Sequence, residues 1–413
     1  MKLLRLLVYE HVSGGGYANK EVPMDILSEG FGMLRSLTSD FAAAGHQVIT
    51  MLDSRIANLN PPVKANCIIP IYAPKEVIPN ICAKTDQVDA CYIIAPETNG
   101  VLASLAKTIE KTRAKSLNCP AEVIEAFSNK WTLHEFLSKK GFIQPQTLRF
   151  STNENLRKIK QTVRSSLSFP VIIKPLRDTS CCGVSIVTDE KHISGAISKI
   201  GRESTSNNFL VQELIEGSDA SISLLAANNK ALAIDLNSQE IKVKTPCTCS
   251  RYWGGIVPFN NYLKPQAKKT AEEIVHLLPP FRGYIGIDFV LTKNEAVPIE
   301  INLRLTTSYI GLSRVVNINL AQAIIDAVFQ SKLPTKIKTA GYSVFSKIDT
   351  PKPQIENLKR IYKTEEVFSP PFPISNNDTA LALIATKGAT QTEAKSKFRE
   401  AKKRVLHTIN RGK

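Results

Sequence analysis

"VPIEINLRLTTSY", residues 297–309, is the stretch whose reading decides the fold. A carboxylate (Glu300) and an amide oxygen (Asn302) stand two positions apart. Alternate residues of an extended strand point the same way, so both oxygens leave one face, and Arg304 continues that face if the strand persists. Upstream, "YIGIDFVL" offers Asp288 on a second apolar strand. Carboxylate and amide oxygens are hard ligands, suited to Mg²⁺ rather than Zn²⁺. Arg304 adds a planar, permanently charged fork that matches phosphate or acyl phosphate. Two hairpin strands carrying this set make a nucleoside-triphosphate site. The acidic pair alone reads equally well as solvent-facing strand ends, and the rest of the chain decides between the two.

Working outward, "FPVIIKPLRDTSCCGVSIV" (169–187) reads as strand, turn-rich loop, strand. Lys174 ends its apolar run, and Pro175 stops the strand. The small polar loop 177–183 can lie over phosphates and donate backbone N–H groups. "FLVQELIEGSDASISLL" (209–225) is a strand, an acidic turn at Gly217 and a second strand. "FSNKWTLHEFLSKKGF" (127–142) places Lys130 at a helix start, with Ser128 or Asn129 as the N-cap and Gly141 as the stop.

With these four blocks in this order, from Asn129 to Tyr309, the chain resembles the ATP-grasp superfamily. That resemblance implies an α/β (α+β) ATP-grasp fold and a set of roles. Lys130 and Lys174 hold the nucleotide phosphates. The backbone at Glu213, Leu214 and Ile215 reads adenine, and Asp219 binds ribose. Asp288, Glu300 and Asn302 carry Mg²⁺, with Mn²⁺ as the alternative and one or two ions allowed. Arg304, together with Lys174, serves the transferred phosphate. Two departures stand out. Many members have Pro where this chain has Leu303, and a more Gly-rich loop where it has Ser180-Cys181-Cys182-Gly183. Glycine tolerates backbone shapes that cysteine does not.

The N-terminal third alternates strands and helices. Residues 3–10, "HQVITMLD" (46–53) and "ACYIIAPE" (90–97) read as strands. A Gly-rich loop is expected from His11 to about Ser28, then an amphipathic helix ending at Gly45. Such alternation predicts a parallel sheet covered on both faces, binding ligands at strand C-termini. Gly14-Gly15-Gly16 does not fit a dinucleotide fingerprint. The expected division is a preATP-grasp-like domain over 1–117, an ATP-grasp domain of two nucleotide-clasping subdomains over 118–335, and a small appended unit over 336–413. Gly254-Gly255 and Pro258 in "CTCSRYWGGIVPFNN" (247–261) mark a loop, from which Arg251 can reach substrate or phosphate.

Composition fits an enzyme. The chain has 413 residues, enough for two or three domains, and no run of the roughly 20 apolar residues that a membrane span needs. "LLRLLVYE" lacks a cleavage site and reads as a first strand, so a cytoplasmic location is expected. The net charge of +16 is scattered, densest in the tail 393–413. That tail reads as a basic, solvated surface helix, and no basic stretch is interleaved with aromatics for base stacking. Nucleic acid is therefore disfavoured, and small-molecule partners are expected, with assembly of several copies left open. The eight cysteines lack the spacing of a zinc site and read as reduced structural residues.

Within the superfamily, "YEHVSGGG", "IIAPETNGVL", "RYWGGIVPF" and "EINLRLTTSYIGL" resemble the tyramine–L-glutamate ligase family of methanofuran biosynthesis. The resemblance implies that ATP phosphorylates the glutamate γ-carboxylate and that an amine attacks the acyl phosphate, with an amino acid and an amine as partners. A mobile lid must exclude water from that intermediate, and the loop 177–183 is the expected one. Glu97, Glu10 and His11 are candidate general bases. Two alternatives remain open at this point: an ATP-grasp ligase or kinase acting on another carboxylate, and a non-catalytic nucleotide-binding regulator.

Overall fold

The computed structural model describes residues 3–179, 181–228, 230–278 and 281–410. Ser180 of the expected lid and the last three residues of the basic tail lie outside them. Strands β1 (Arg5–Glu10), β2 (Gln47–Asp53), β3 (Cys67–Ile71), β4 (Ala90–Ile94) and β5 (Lys115–Ser116) form a parallel sheet ordered β3-β2-β1-β4-β5. β1 and β4 are buried almost throughout, as strands covered on both faces must be. The strand order reverses between β1 and β4, so the loops that follow them open into one crevice.

The loop after β1 is shorter than expected. The helix Met24–Ala43 begins just after Pro23, and Ser28 and Glu29 are buried inside it. Proline suits a helix entrance, where its missing N–H is not needed. Glu10 ties the loop down by accepting from the N–H groups of Val12 (3.0 Å) and Ser13 (2.6 Å).

Next come β6 (Thr147–Ser151), β7 (Val171–Pro175), β8 (Ser185–Val187) and β9 (Asn208–Glu213), an antiparallel sheet ordered β6-β9-β7-β8. Helices Leu156–Ser166 and Ile193–Glu203 close its core through Ile159, Val163, Ile193 and Ile200. The chain continues through β10 (Ser218–Ala227), β11 (Lys230–Ser238), β12 (Glu240–Lys242), β13 (Arg251–Val257), β14 (Gly283–Leu291) and β15 (Ala296–Asn302). Four of these form the antiparallel sheet β11-β10-β14-β15. Its register sets Ser221 opposite Asp288, and Asp288 opposite Glu300.

β12 and β13 leave that sheet and join β16 (Tyr342–Pro351), β17 (Val367–Ser369) and β18 (Thr379–Gly388) in the order β12-β13-β16-β18-β17. The Gly-Gly segment expected as a loop is thus a strand. Its glycines serve close approach: a Cβ on Gly254 would stand 2.0 Å from the Phe345 carbonyl oxygen, and one on Gly255 1.8 Å from that of Ser238. The tail helix Gln391–Asn410 lays Ala394, Ala401, Val405 and Ile409 on this last sheet and turns its charges outward.

Candidate functional site

A cleft of about 760 Å³ lies between the two antiparallel sheets of the middle region, and all ten residues expected from sequence line it: Lys130, Lys174, Glu213, Leu214, Ile215, Asp219, Asp288, Glu300, Asn302 and Arg304. One end is apolar. There Ile172, Ile186, Leu214, Ile215, Val290 and Ile299 make walls suited to a flat base. The link 214–217 between β9 and β10 passes tightly over β14, where a Cβ on Gly217 would stand 2.4 Å from the Leu291 carbonyl oxygen. Asp219 follows on β10, opposite Val290.

The middle of the cleft is charged. Asn129 caps the helix Lys130–Lys139 through its side chain, which resolves the choice of cap and fixes Lys130 at the first turn. The Lys130 ammonium bonds Glu300 Oε1 (2.9 Å) and the Asp178 carbonyl (2.8 Å). Lys174 is buried at 7% exposure, and among the described residues its ammonium has no hydrogen bond or ion pair. Burial, aided by Lys130, pulls its pKa down to about 8, although Glu300 and Asp288 oppose the shift. A desolvated cation facing a cavity is a site waiting for an anion.

Asp288 accepts from Gln239 Nε2 (3.0 Å) and Asn302 Nδ2 (3.1 Å). Burial, reinforced by Glu300 across the ladder, pushes its carboxyl up to about 7. Two carboxylates crowded in this way, with the Asn302 amide beside them, are a donor set of the hard type that Mg²⁺ takes. Among the described residues no cluster of three or more His, Cys, Asp or Glu makes a metal site, so the remaining ligands of an ion here would be phosphate oxygens and water. Sequence reading missed Gln239, whose only signal is its position one residue before β12.

Arg304 leaves the strand end and meets Glu97 from the loop after β4. Its Nε lies 3.0 Å from each carboxylate oxygen, and Nη1 donates to the Leu305 carbonyl at 3.1 Å. Burial works against the guanidinium's charge, but Glu97, with Glu29 and Glu300 behind it, outweighs it and the net shift is upward. Glu97 is therefore engaged as the partner of Arg304. Glu10 is engaged as a loop anchor, and burial raises its carboxyl to about 6. His11 is packed against Tyr9 and Tyr17, and burial lowers its imidazole to about 4. None of the three lines the cleft. Arg251 likewise points away, bridging Asp25 (3.1 Å) and Asp349 (3.2 Å). Its neighbour Tyr252 faces the cleft instead, with Glu29, Thr306, Thr307 and Ser308.

Of the described residues of the expected lid, Asp178, Thr179, Cys181 and Cys182 line the cleft. Arg177 pairs with Glu125, and Asp178 accepts from Ser204. Cys181 takes a left-handed backbone, φ 63°, where glycine would carry no steric cost. Burial raises the Cys181 and Cys182 thiols to about 12 and about 11, which disfavours thiolate chemistry.

Known proteins share this arrangement. A family model described as the ATP-grasp domain matches residues 127–308, and one described as the pre ATP-grasp 3 domain matches residues 46–124. The chain is 26% identical over 349 residues to the tyramine–L-glutamate ligase of Methanocaldococcus jannaschii, covering 83% of this chain and 96% of that protein. In fold it is similar to the biotin carboxylase domain of Hydrogenobacter thermophilus 2-oxoglutarate carboxylase, solved with MgADP (TM-score 0.68, 12% identity, 97% and 90% of the chains). It is also similar to L-amino acid ligase from Bacillus licheniformis (TM-score 0.66, 15% identity, 98% of each chain). With a parallel sheet in front, two antiparallel sheets clasping a cleft, and lysines, acids and an arginine converging inside it, the chain has the ATP-grasp fold, with an ATP-grasp domain over residues 127–308.

Proposed function

We propose that this protein is an ATP-dependent carboxylate–amine ligase that joins the γ-carboxylate of L-glutamate to tyramine through an acyl phosphate. The observation that carries the phosphoryl-transfer half is the cleft's middle section, where buried, unpaired Lys174 and paired Lys130 face Asp288, Glu300 and Asn302. The similarity to a tyramine–L-glutamate ligase over most of both chains supports the substrate pair. In this reading the apolar end holds adenine, Asp219 takes a ribose hydroxyl, and Lys130 and Lys174 hold the polyphosphate. Asp288, Glu300 and Asn302 hold Mg²⁺ or Mn²⁺, which supplies charge neutralisation at the transferred phosphoryl group. Arg304, clamped by Glu97, meets the oxygens on which negative charge grows, a preorganised arrangement that needs no rearrangement during reaction. The loop 177–183 shields the acyl phosphate from water.

Among the described residues no helix is long and apolar enough to cross a membrane, and we place the enzyme in the cytoplasm with its small-molecule substrates. The test is ADP release with glutamate and tyramine, with hydroxylamine added in place of the amine. A γ-glutamyl hydroxamate with ADP and phosphate supports the route. AMP and pyrophosphate, or no turnover with this pair, refute the route or the substrates respectively.

A further inference from the structure

The end of the cleft opposite the apolar walls holds a charge cluster that nucleotide chemistry does not use. Thr306 folds back over β14, its Cγ2 2.5 Å from where a Cβ of Gly286 would be. Thr306 and Ser308 share a hydrogen bond (2.8 Å), and Ser308 meets Ser223 at 3.3 Å, so this turn is held rigidly beside Arg304. Thr307 donates its hydroxyl proton to Glu29 Oε2 (2.9 Å). Glu29 Oε1 meets the buried ammonium of Lys347 (2.6 Å), which also reaches Asp25 (3.1 Å). Arg251 then links Asp25 to Asp349. Three carboxylates thus face two cations, and the cluster keeps one net negative charge.

Of the carboxylates and cations of this cluster only Glu29 opens on the cleft, beside Tyr252 and the turn Thr306, Thr307 and Ser308. Among the described residues the Tyr252 hydroxyl has no hydrogen-bond partner. Burial first, and then Glu29 and Asp288, raise its phenol well above the ordinary value, so the hydroxyl stays neutral. A carboxylate brought here would meet like charge. An ammonium would find three acceptors for its three N–H groups. They are Glu29, the phenol oxygen of Tyr252, and the Thr307 oxygen, whose own proton is already given to Glu29.

We propose that the corner bounded by Glu29, Tyr252 and Thr307 seats a primary ammonium of the substrate, making Tyr252 and Glu29 specificity-determining residues. This rests on the ligase reading. The same ammonium chemistry is carried by the α-amino group of the acid and by the incoming amine, and experiment separates the two sources.

The full chain, saturated with Mg²⁺ and a non-hydrolysable ATP analogue, is titrated calorimetrically with L-glutamate against glutarate, and with tyramine against 4-ethylphenol. One ammonium compound should bind better than its ammonium-free counterpart. That advantage should fall on the order of tenfold or more in Tyr252→Phe and in Glu29→Gln, as when one hydrogen bond to a charged group is lost. Analogue affinity should not change. The arm that loses its advantage identifies the source. Tyr252→Phe keeps the ring and its packing, so it reads the contact even if Glu29→Gln, beside Lys347, melts early. An advantage retained in Tyr252→Phe, or no advantage in either arm of the wild type, overturns the seat. A protein that shows the pattern yet forms neither hydroxamate nor amide retains the seat and loses the ligase reading.

Discussion

Replacing Glu97 with alanine tests the coupling between the N-terminal sheet and the reacting centre. The pair it breaks is buried, with side chains 7% and 13% exposed and Nε 3.0 Å from both carboxylate oxygens. At an effective dielectric of about 20, charges 3 Å apart attract by about 5 kcal/mol. Desolvation offsets much of that in the intact pair, but removing one partner leaves the other charge buried and uncompensated, a loss of about 3–5 kcal/mol. Arg304 retains the Leu305 carbonyl and the more distant charges of Glu29 and Glu300. The expected coupling therefore sits lower, at about 2–4 kcal/mol. Urea unfolding of the wild type, Glu97→Ala, Arg304→Ala and the double variant gives it as a double-mutant cycle. Turnover should fall on the order of 10²-fold in Glu97→Ala, because the guanidinium loses its fixed direction, while nucleotide affinity changes little. Additive single-variant costs below about 0.5 kcal/mol each, or a near-normal rate, would refute the reasoning.

Lys174 makes nucleotide affinity pH-dependent. Its free-protein pKa of about 8 rises when a polyphosphate pairs with it, so affinity is full below pH 8 and falls as pH rises above it. Titration of an ATP analogue from pH 7 to 9.5 measures this, and Lys174→Met should flatten the curve; identical slopes in both proteins would contradict the assignment. In the ligand-free protein the same lowered pKa makes stability increase between about pH 8 and the ordinary lysine value, since the unfolded chain binds the extra proton there. Gly255→Ala should destabilise by more than about 3 kcal/mol, because its Cβ meets backbone that cannot rotate away. A thermal melt within two degrees of wild type would show that the strands separate more easily than their register implies.

What the sequence displayed was local chemistry at regular spacing. Glu300 and Asn302 were legible because strand alternation aims them at one face, and the register sets Asp288 of the neighbouring strand opposite Glu300. Lys130 and Lys174 were legible because a cap and a proline mark where their elements begin and end. Contacts between distant segments were not. Gly254-Gly255 carries the ordinary signature of a loop, and only the proximity of Phe345 and Ser238 reveals a strand needing bare backbone. The early start of the first helix hid Asp25 in an expected loop and left Glu29 at its edge, and with them the whole cluster around Lys347. Glu97 was weighed as a base because a carboxylate after a parallel strand invites that reading; its pairing with Arg304, 207 positions away, leaves no local trace.

The route of β13 has a consequence during synthesis. Its outer pairing partner, β16, and the strand behind that, β18, are translated long after it. At about 5–20 residues per second, β13 leaves the ribosome on the order of ten seconds before its sheet can be completed. Through that interval its ladder of N–H and C=O groups is a sticky edge, flanked on one side only by the three-residue β12. The paired glycines that later permit tight backbone contact also make this waiting strand a poor template for foreign β-pairing, since glycine weakens an extended chain that nothing yet holds. Any capture of newly made chains by chaperones, or by one another, should therefore be confined to the interval when the ribosome stands between codons for β13 and β18, and the two glycines should keep it low.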